Sequence, residues 1–127
     1  MAGSAEGDAL VLDEPLSFWG GTDPATGSVI DVHHPQLGAN VAGKVLVMPG
    51  GRGSSSSSSV LAEAIRAGTA PAAAILTESD PIVALGAIVA RELYGSAIPV
   101  LVAPVPGLRT GDRVRIDVTG TVVRIER

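Results

Sequence analysis

The stretch at positions 45–60, VLVMPGGRGSSSSSSV, constrains the fold more than any other part of the chain. The apolar run Val45–Met48 is typical of a buried strand, and the glycine-rich segment at 49–53 predicts a turn. Apolar residues at helical spacing follow from Val60 onward. The serines therefore lie between the end of a strand and the start of a helix. Anions and substrates usually bind at that place in α/β proteins, because free backbone N–H groups converge there.

The pattern beyond the serine run predicts an alternation of helices and strands. A helix is expected over residues 55–67, with Gly68 as its C′ residue. An apolar strand at 71–77, a helix at 82–93 and a strand at 98–102 follow. Strands and helices in this order imply parallel pairing through right-handed crossovers.

Both ends of the chain predict β-structure around this centre. A first strand is expected at 9–12, and a second at 28–32, directly after the turn signal DPATG. Alternating apolar and charged residues at 113–125 predict a C-terminal hairpin. We therefore expect one α/β domain over residues 1–127, with residues 1–7 frayed and a β-rich shell around a strand-helix-strand-helix-strand centre.

Composition excludes several classes of function. The net charge of −4 and the pI of about 5.0 argue against a nucleic-acid binder, which would show a basic face. The chain has no cysteine, so it offers no thiolate ligand to zinc or to an iron–sulfur cluster. No apolar run is long enough to span a bilayer, and the first residues do not resemble a signal peptide. A cytoplasmic protein is the expectation.

The glycine–serine turn carries the main candidate chemistry. It is neither a Walker A loop nor a dinucleotide fingerprint, because the required lysine and third glycine are missing. It offers a group of N–H donors, several hydroxyls and the guanidinium of Arg52, which suits a carboxylate or a phosphate. A serine could act as a base if these groups stabilised its alkoxide. The alternative, in which the serines only cap the helix and Arg52 is solvated, stays equally open.

Other polar or aromatic residues give weaker signals. Adjacent histidines point in different directions, so His33 and His34 are interpreted as a surface or loop pair rather than a metal site. Asp80 is interpreted as a helix cap, and the role of Glu78 stays open. Trp19 precedes two glycines and either walls a ligand pocket, lies at an interface or makes a core contact.

The segments at 17–49 and 47–102 together resemble the small subunit of the aconitase X family, once known only as a domain of unknown function. The likeness covers nearly the whole chain. It implies a swivelling β/β/α domain like the mobile domain of aconitase. It also implies a large-subunit partner that bears the iron or iron–sulfur centre, and the two chains together would form a dehydratase.

In aconitase-like swivel domains a Gly-x-Gly-Ser-Ser-Arg turn supplies a serine alkoxide as the catalytic base. Residues 51–55, GRGSS, occupy that turn here, so the resemblance assigns the proton-accepting role to Ser54. Ser56 stands where an arginine would follow the serines, which leaves the carboxylate-binding role to the earlier Arg52. The substrate contacts expected on this chain are Gly51, Arg52, Gly53, Ser55 and Trp19.

The family implies two candidate substrates, both small hydroxy acids. Bacterial-type members resemble cis-3-hydroxy-L-proline dehydratases, with a serine-rich turn and a segment like ELYG at 92–95. Archaeal-type members are similar to mevalonate 5-phosphate dehydratases, and their turn differs from the one here. The reaction implied is loss of water, in which a base takes the Cα proton and the metal acts as a Lewis acid. A non-enzymatic anion-binding module and a purely structural subunit are the alternatives.

Overall fold

The computed structural model describes residues 3–14, 16, 21–49, 55–77, 81–95, 98–103, 107–119 and 122–126. Within these residues, six strands form one mixed sheet and two helices pack on it. In chain order, the elements are β1 (Gly3–Val11), β2 (Val45–Met48), α1 (Ser55–Ala67), β3 (Ala73–Leu76), α2 (Pro81–Tyr94), β4 (Val100–Val102), β5 (Arg113–Thr119) and β6 (Val122–Glu126).

The sheet has the order β4-β3-β2-β1-β5-β6. The strands β1, β2, β3 and β4 are parallel to their neighbours in this order, while β5 pairs antiparallel with both β1 and β6. The predicted parallel centre and the predicted C-terminal hairpin are both confirmed. Each helix connects two neighbouring parallel strands, as a crossover connection requires.

β1 belongs to both halves of the sheet. Residues 3–8 pair with β5, and residues 9–11 pair with β2. The expected fraying of residues 1–7 is therefore wrong for residues 3–7, because a strand more than a hundred residues away in the chain fixes them. Met1 and Ala2 lie outside the described residues.

Side chains alternate between two apolar clusters on opposite faces of the parallel strands. Leu46, Met48 and Leu76 face the helices, where they pack in one cluster with Leu61 and other helix residues. Val45, Val47, Ala73 and Ile75 face the other way and pack with Val114 and Ile116 of β5. The antiparallel hairpin thus covers the face that the helices leave open. Although the six strands form one sheet, β5 packs over one face of the parallel strands. The domain therefore has three layers, two of β-structure and one of helices, as expected.

The predicted helices are confirmed, and the strands after each helix, β3 and β4, are shorter than predicted, while β1 is longer. α1 has the predicted bounds, and Gly68 follows it with a φ of 79°, the left-handed conformation that favours glycine after a helix. The strand expected at 71–77 covers Ala73–Leu76, and the one expected at 98–102 covers Val100–Val102. In the part of the chain that the structure describes, neither helix has the length and apolarity needed to cross a membrane.

The segment at 21–44 makes only isolated bridges, Thr22 to Val29 and Ser28 to Asn40. The strand predicted at 28–32 is therefore wrong, although the turn at 23–27 is confirmed by a hydrogen bond from Gly27 N to Asp23 O (2.7 Å). Asp31 ends the extended stretch, because its carboxylate accepts a hydrogen bond from His33 N (2.9 Å) and starts an Asx-turn.

Candidate functional site

The carboxyl ends of the parallel strands meet at one edge of the sheet. Backbone bonds continue the ladder just past the strand ends: Leu12 N donates to Val47 O (2.8 Å) and Thr77 N to Met48 O (3.2 Å). The Thr77 hydroxyl also lies 3.4 Å from Pro49 O. The segment that leaves β2 is thus flanked by the exits of β1 and β3. In open α/β sheets, ligands bind at this edge.

Both described helices begin at the same edge, because each follows a parallel strand. Their N-terminal ends carry partial positive charge from the helix dipole and free N–H groups. The first turn of α1 and that of α2 contain no acidic residue. Asp80, the predicted cap of α2, and Glu78 lie outside the described residues, so their roles stay predictions. The edge is therefore suited to an anionic group such as a substrate carboxylate.

The predicted site residues belong to the connection between β2 and α1. Ser55 is the first residue of α1, as predicted. Ser54, Gly51, Arg52 and Gly53, and also Trp19, lie outside the described residues. Their predicted roles stay predictions. The structure describes the two residues that flank this stretch. Pro49 follows the fully buried strand β2, and Ser55 begins α1.

Sequence reasoning missed a polar cluster at the exit of β1. His34 lies on a loop, as one form of its interpretation had it, but it is only 5% exposed, so a place on the surface is wrong. Its Nε2 lies 3.2 Å from the carbonyl oxygen of Glu14, and its Nδ1 accepts a hydrogen bond from Gln36 N (3.1 Å). The Gln36 side chain donates to the Asp13 carboxylate (2.9 Å). The sequence signal was the pair of adjacent histidines alone, because Glu14 and Asp13, which bond to His34 and Gln36, lie some twenty positions earlier.

The described residues do not bring together a set of metal donors. The sequence has no cysteine, and the described residues contain no group of three or more histidine, aspartate or glutamate side chains placed to hold an ion. Both ring nitrogens of His34 already have main-chain partners. We therefore assign no metal ligand to the residues that the structure describes.

A β/β/α domain whose parallel strands and helix N-termini meet at one anion-suited edge is the architecture expected of a swivelling domain. The sequence matches the aconitase X swivel domain family over residues 1–125. The chain belongs to this family, as the resemblance in the sequence indicated.

The chain is similar to relatives of two kinds. It is 55% identical over 100 residues to the cis-3-hydroxy-L-proline dehydratase of Pseudomonas aeruginosa, covering 79% of this chain and 17% of that protein. It is 42% identical over 127 residues to the phosphomevalonate dehydratase small subunit of Methanocella arvoryzae, covering 97% of this chain and 92% of that one. The chain thus spans about a sixth of the first relative and nearly all of the second.

Two solved structures share the fold. Aconitase X from Thermococcus kodakaraensis, crystallised in its holo-form, superposes with a TM-score of 0.86 at 40% identity, covering 99% of this chain and 92% of that one. The solution NMR structure of a UPF0107 protein superposes with a TM-score of 0.82 at 37% identity, covering 100% of this chain and 94% of that one. The predicted swivelling fold is therefore confirmed.

Proposed function

We propose that the chain is the small subunit of a heteromeric hydro-lyase of the aconitase X family and supplies its catalytic base. The observation that carries this proposal is the place of residues 50–54 between the carboxyl end of the buried strand β2 and the N-terminus of α1. That place offers N–H donors and a helix dipole to an anionic substrate and to a serine alkoxide. Membership of a family whose relatives are named dehydratases supports the reaction class.

Ser54 is the proposed base, which removes the Cα proton of the substrate while the hydroxyl group leaves and water is lost. A free serine hydroxyl titrates far above neutral pH, so the alkoxide needs strong stabilisation. The amides of Gly51, Gly53 and Ser55 and the N-terminus of α1 are proposed to provide it. Arg52 is the proposed partner of the substrate carboxylate, and Trp19 the proposed wall of the pocket.

Cis-3-hydroxy-L-proline is the proposed substrate, with Δ1-pyrroline-2-carboxylate as the product. The relative with this name in P. aeruginosa is 55% identical, against 42% for the phosphomevalonate dehydratase small subunit of M. arvoryzae. Mevalonate 5-phosphate is the alternative substrate, supported by the fact that this second relative matches over 92% of its own length. Assay of the assembled enzyme with both compounds decides between them.

The proposed partner is a large subunit that carries the iron or iron–sulfur centre. Exposed apolar side chains support an interface beside the site: Ile30, Val32 and Leu37 are 47%, 73% and 50% exposed on one loop. His34 and Gln36 attach this loop to the exit of β1, so it borders the candidate site. A cytoplasmic setting, with no nucleic acid or membrane partner, completes the proposal.

Ser54→Ala tests the proposal in the reconstituted complex. Loss of the base is expected to lower kcat by about 10³-fold or more, since a positioned general base contributes about 10²–10⁴-fold. The matched control is Ser59→Ala, an exposed position of α1 within the same serine run. Equal turnover in both variants would refute the role of Ser54. Anion binding by the isolated chain, without turnover in any complex, would favour the non-enzymatic binding module. If the chain neither binds anions nor supports turnover, the purely structural subunit is favoured.

A further inference from the structure

His34 is a buried titratable side chain for which the proposed chemistry has no use. It is 5% exposed, and both ring nitrogens bond to the main chain. Because Nδ1 accepts the hydrogen bond from Gln36 N, the ring proton lies on Nε2 and is donated to the carbonyl oxygen of Glu14. The bond that Nδ1 accepts joins residues two positions apart in the sequence, whereas the bond that Nε2 donates joins residues twenty positions apart.

Gln36 makes a second link between the same two segments. Its side-chain nitrogen donates to the Asp13 carboxylate at 2.9 Å, and its side-chain oxygen lies 3.4 Å from Asp13 N. His34 and Gln36 thus fix Asp13 and Glu14, the second and third residues beyond the end of β1. We call these four residues the β1-exit clasp.

The β1-exit clasp lies beside the candidate catalytic turn. β1 and β2 are parallel neighbours in register, with Val11 opposite Val47. Leu12 N still bonds to Val47 O, so Asp13 leaves the sheet next to the point where Pro49 leaves it. Two residues beyond Glu14, Leu16 is buried.

We propose that His34 is a positioning residue that fixes the exit of β1 as one wall of the substrate pocket, through the hydrogen bond to Glu14. This role rests on the proposed function, since it deepens the same site. His34 does not touch the substrate. It holds the wall against which the substrate lies while Ser54 acts.

Two amide substitutions separate the two bonds of the ring. His34→Gln places an N–H donor near the Nε2 position and can keep the bond to Glu14 O. His34→Asn places an oxygen acceptor near the Nδ1 position and keeps only the local bond from Gln36 N. We expect His34→Asn to raise KM and lower kcat/KM by about tenfold or more, since a displaced substrate loses its reactive geometry. His34→Gln is expected to stay within about threefold of the parent. The control is His33→Asn, the exposed neighbour, which should leave both constants unchanged.

If His34 only stabilised the fold, the loss of activity in each of the two variants would match the fall in its melting temperature. Equal losses in His34→Gln and His34→Asn, or no loss in either, would overturn the proposal. If His34→Asn does not fold, Gln36→Leu removes only the side-chain link to Asp13 and leaves the bond from His34 to Glu14. We expect kcat/KM of that variant to stay within about threefold of the parent, and a loss of about tenfold or more would overturn the assignment of the wall to His34.

A fluorescence measurement on the chain alone separates this inference from the proposed function. Trp19 is the one tryptophan of the sequence, five residues beyond Glu14. Acrylamide quenching of its emission should increase in His34→Asn and not in His34→Gln. If the parent complex shows no turnover but the quenching differs in this way, the proposed function fails, while the finding that His34 fixes the exit of β1 stands. Identical quenching in all three proteins would refute the positioning role.

Discussion

Gly7→Ala tests the close approach at the point where β1 changes partners. A Cβ at Gly7 would lie 2.6 Å from the carbonyl oxygen of Gly43, while ordinary van der Waals contact begins near 3.4 Å. The obstacle is backbone, so it cannot rotate away as a flexible side chain would. Overpacking of this kind costs about 1–3 kcal/mol. A contact below 3.0 Å against backbone places the cost in the upper part of this range, at about 2–3 kcal/mol. Alanine otherwise gains about 0.5–1 kcal/mol over glycine inside a strand, which leaves a net loss of about 1–2 kcal/mol.

The sign of the change makes the test decisive. Thermal unfolding followed by circular dichroism should show a melting temperature lower by about 4–8 °C, at about 4 °C per kcal/mol for a chain of this size. Amide exchange should be faster at Gly43 N, which donates to Ala70 O (3.1 Å), than in the parent. Thr69 N, bonded to Ala64 O (2.9 Å), is the control amide. An unchanged or raised melting temperature would refute the reasoning, because strand propensity alone predicts stabilisation.

Two further predictions concern the proposed interface and the surface charges. Val32→Asp should weaken association with the large subunit by about tenfold or more, because an unpaired carboxylate would be buried there. Leu93→Asp is the matched control, since Leu93 is 68% exposed at the C-terminal end of α2, away from the candidate site. An equal effect of both variants would contradict the proposed interface. The pKa of Glu63 lies below its ordinary value, mainly because Arg66 donates a hydrogen bond to it. A depressed pKa stabilises the fold above the unfolded-state value and loses that contribution as the pH falls through the folded-state value. Glu63→Gln should therefore lower the melting temperature slightly at neutral pH and not at about pH 3, and a difference that persists in acid would contradict this cause.

Local patterns were enough to predict the centre of the fold. The bounds of α1 follow from the serine run, the apolar stripe and Gly68, all of which lie within one stretch of sequence. Residues 3–7 were expected to fray because they are small and polar. That expectation was wrong because pairing with β5 orders them. A window of ten residues carries no information about a partner strand that begins at Arg113.

The same distinction explains what sequence predicted of the site. The strand before the glycine–serine stretch and the helix after it follow from local patterns, and both were predicted correctly. The contrast between His33 and His34 is not local. Adjacent side chains point in different directions, so the two histidines can have different surroundings. Which one is buried depends on Glu14, whose carbonyl oxygen lies 3.2 Å from the His34 ring. A buried histidine bonded to main-chain atoms thus looks the same in sequence as a solvated one. Its role emerges only when the exit of β1 is placed beside it.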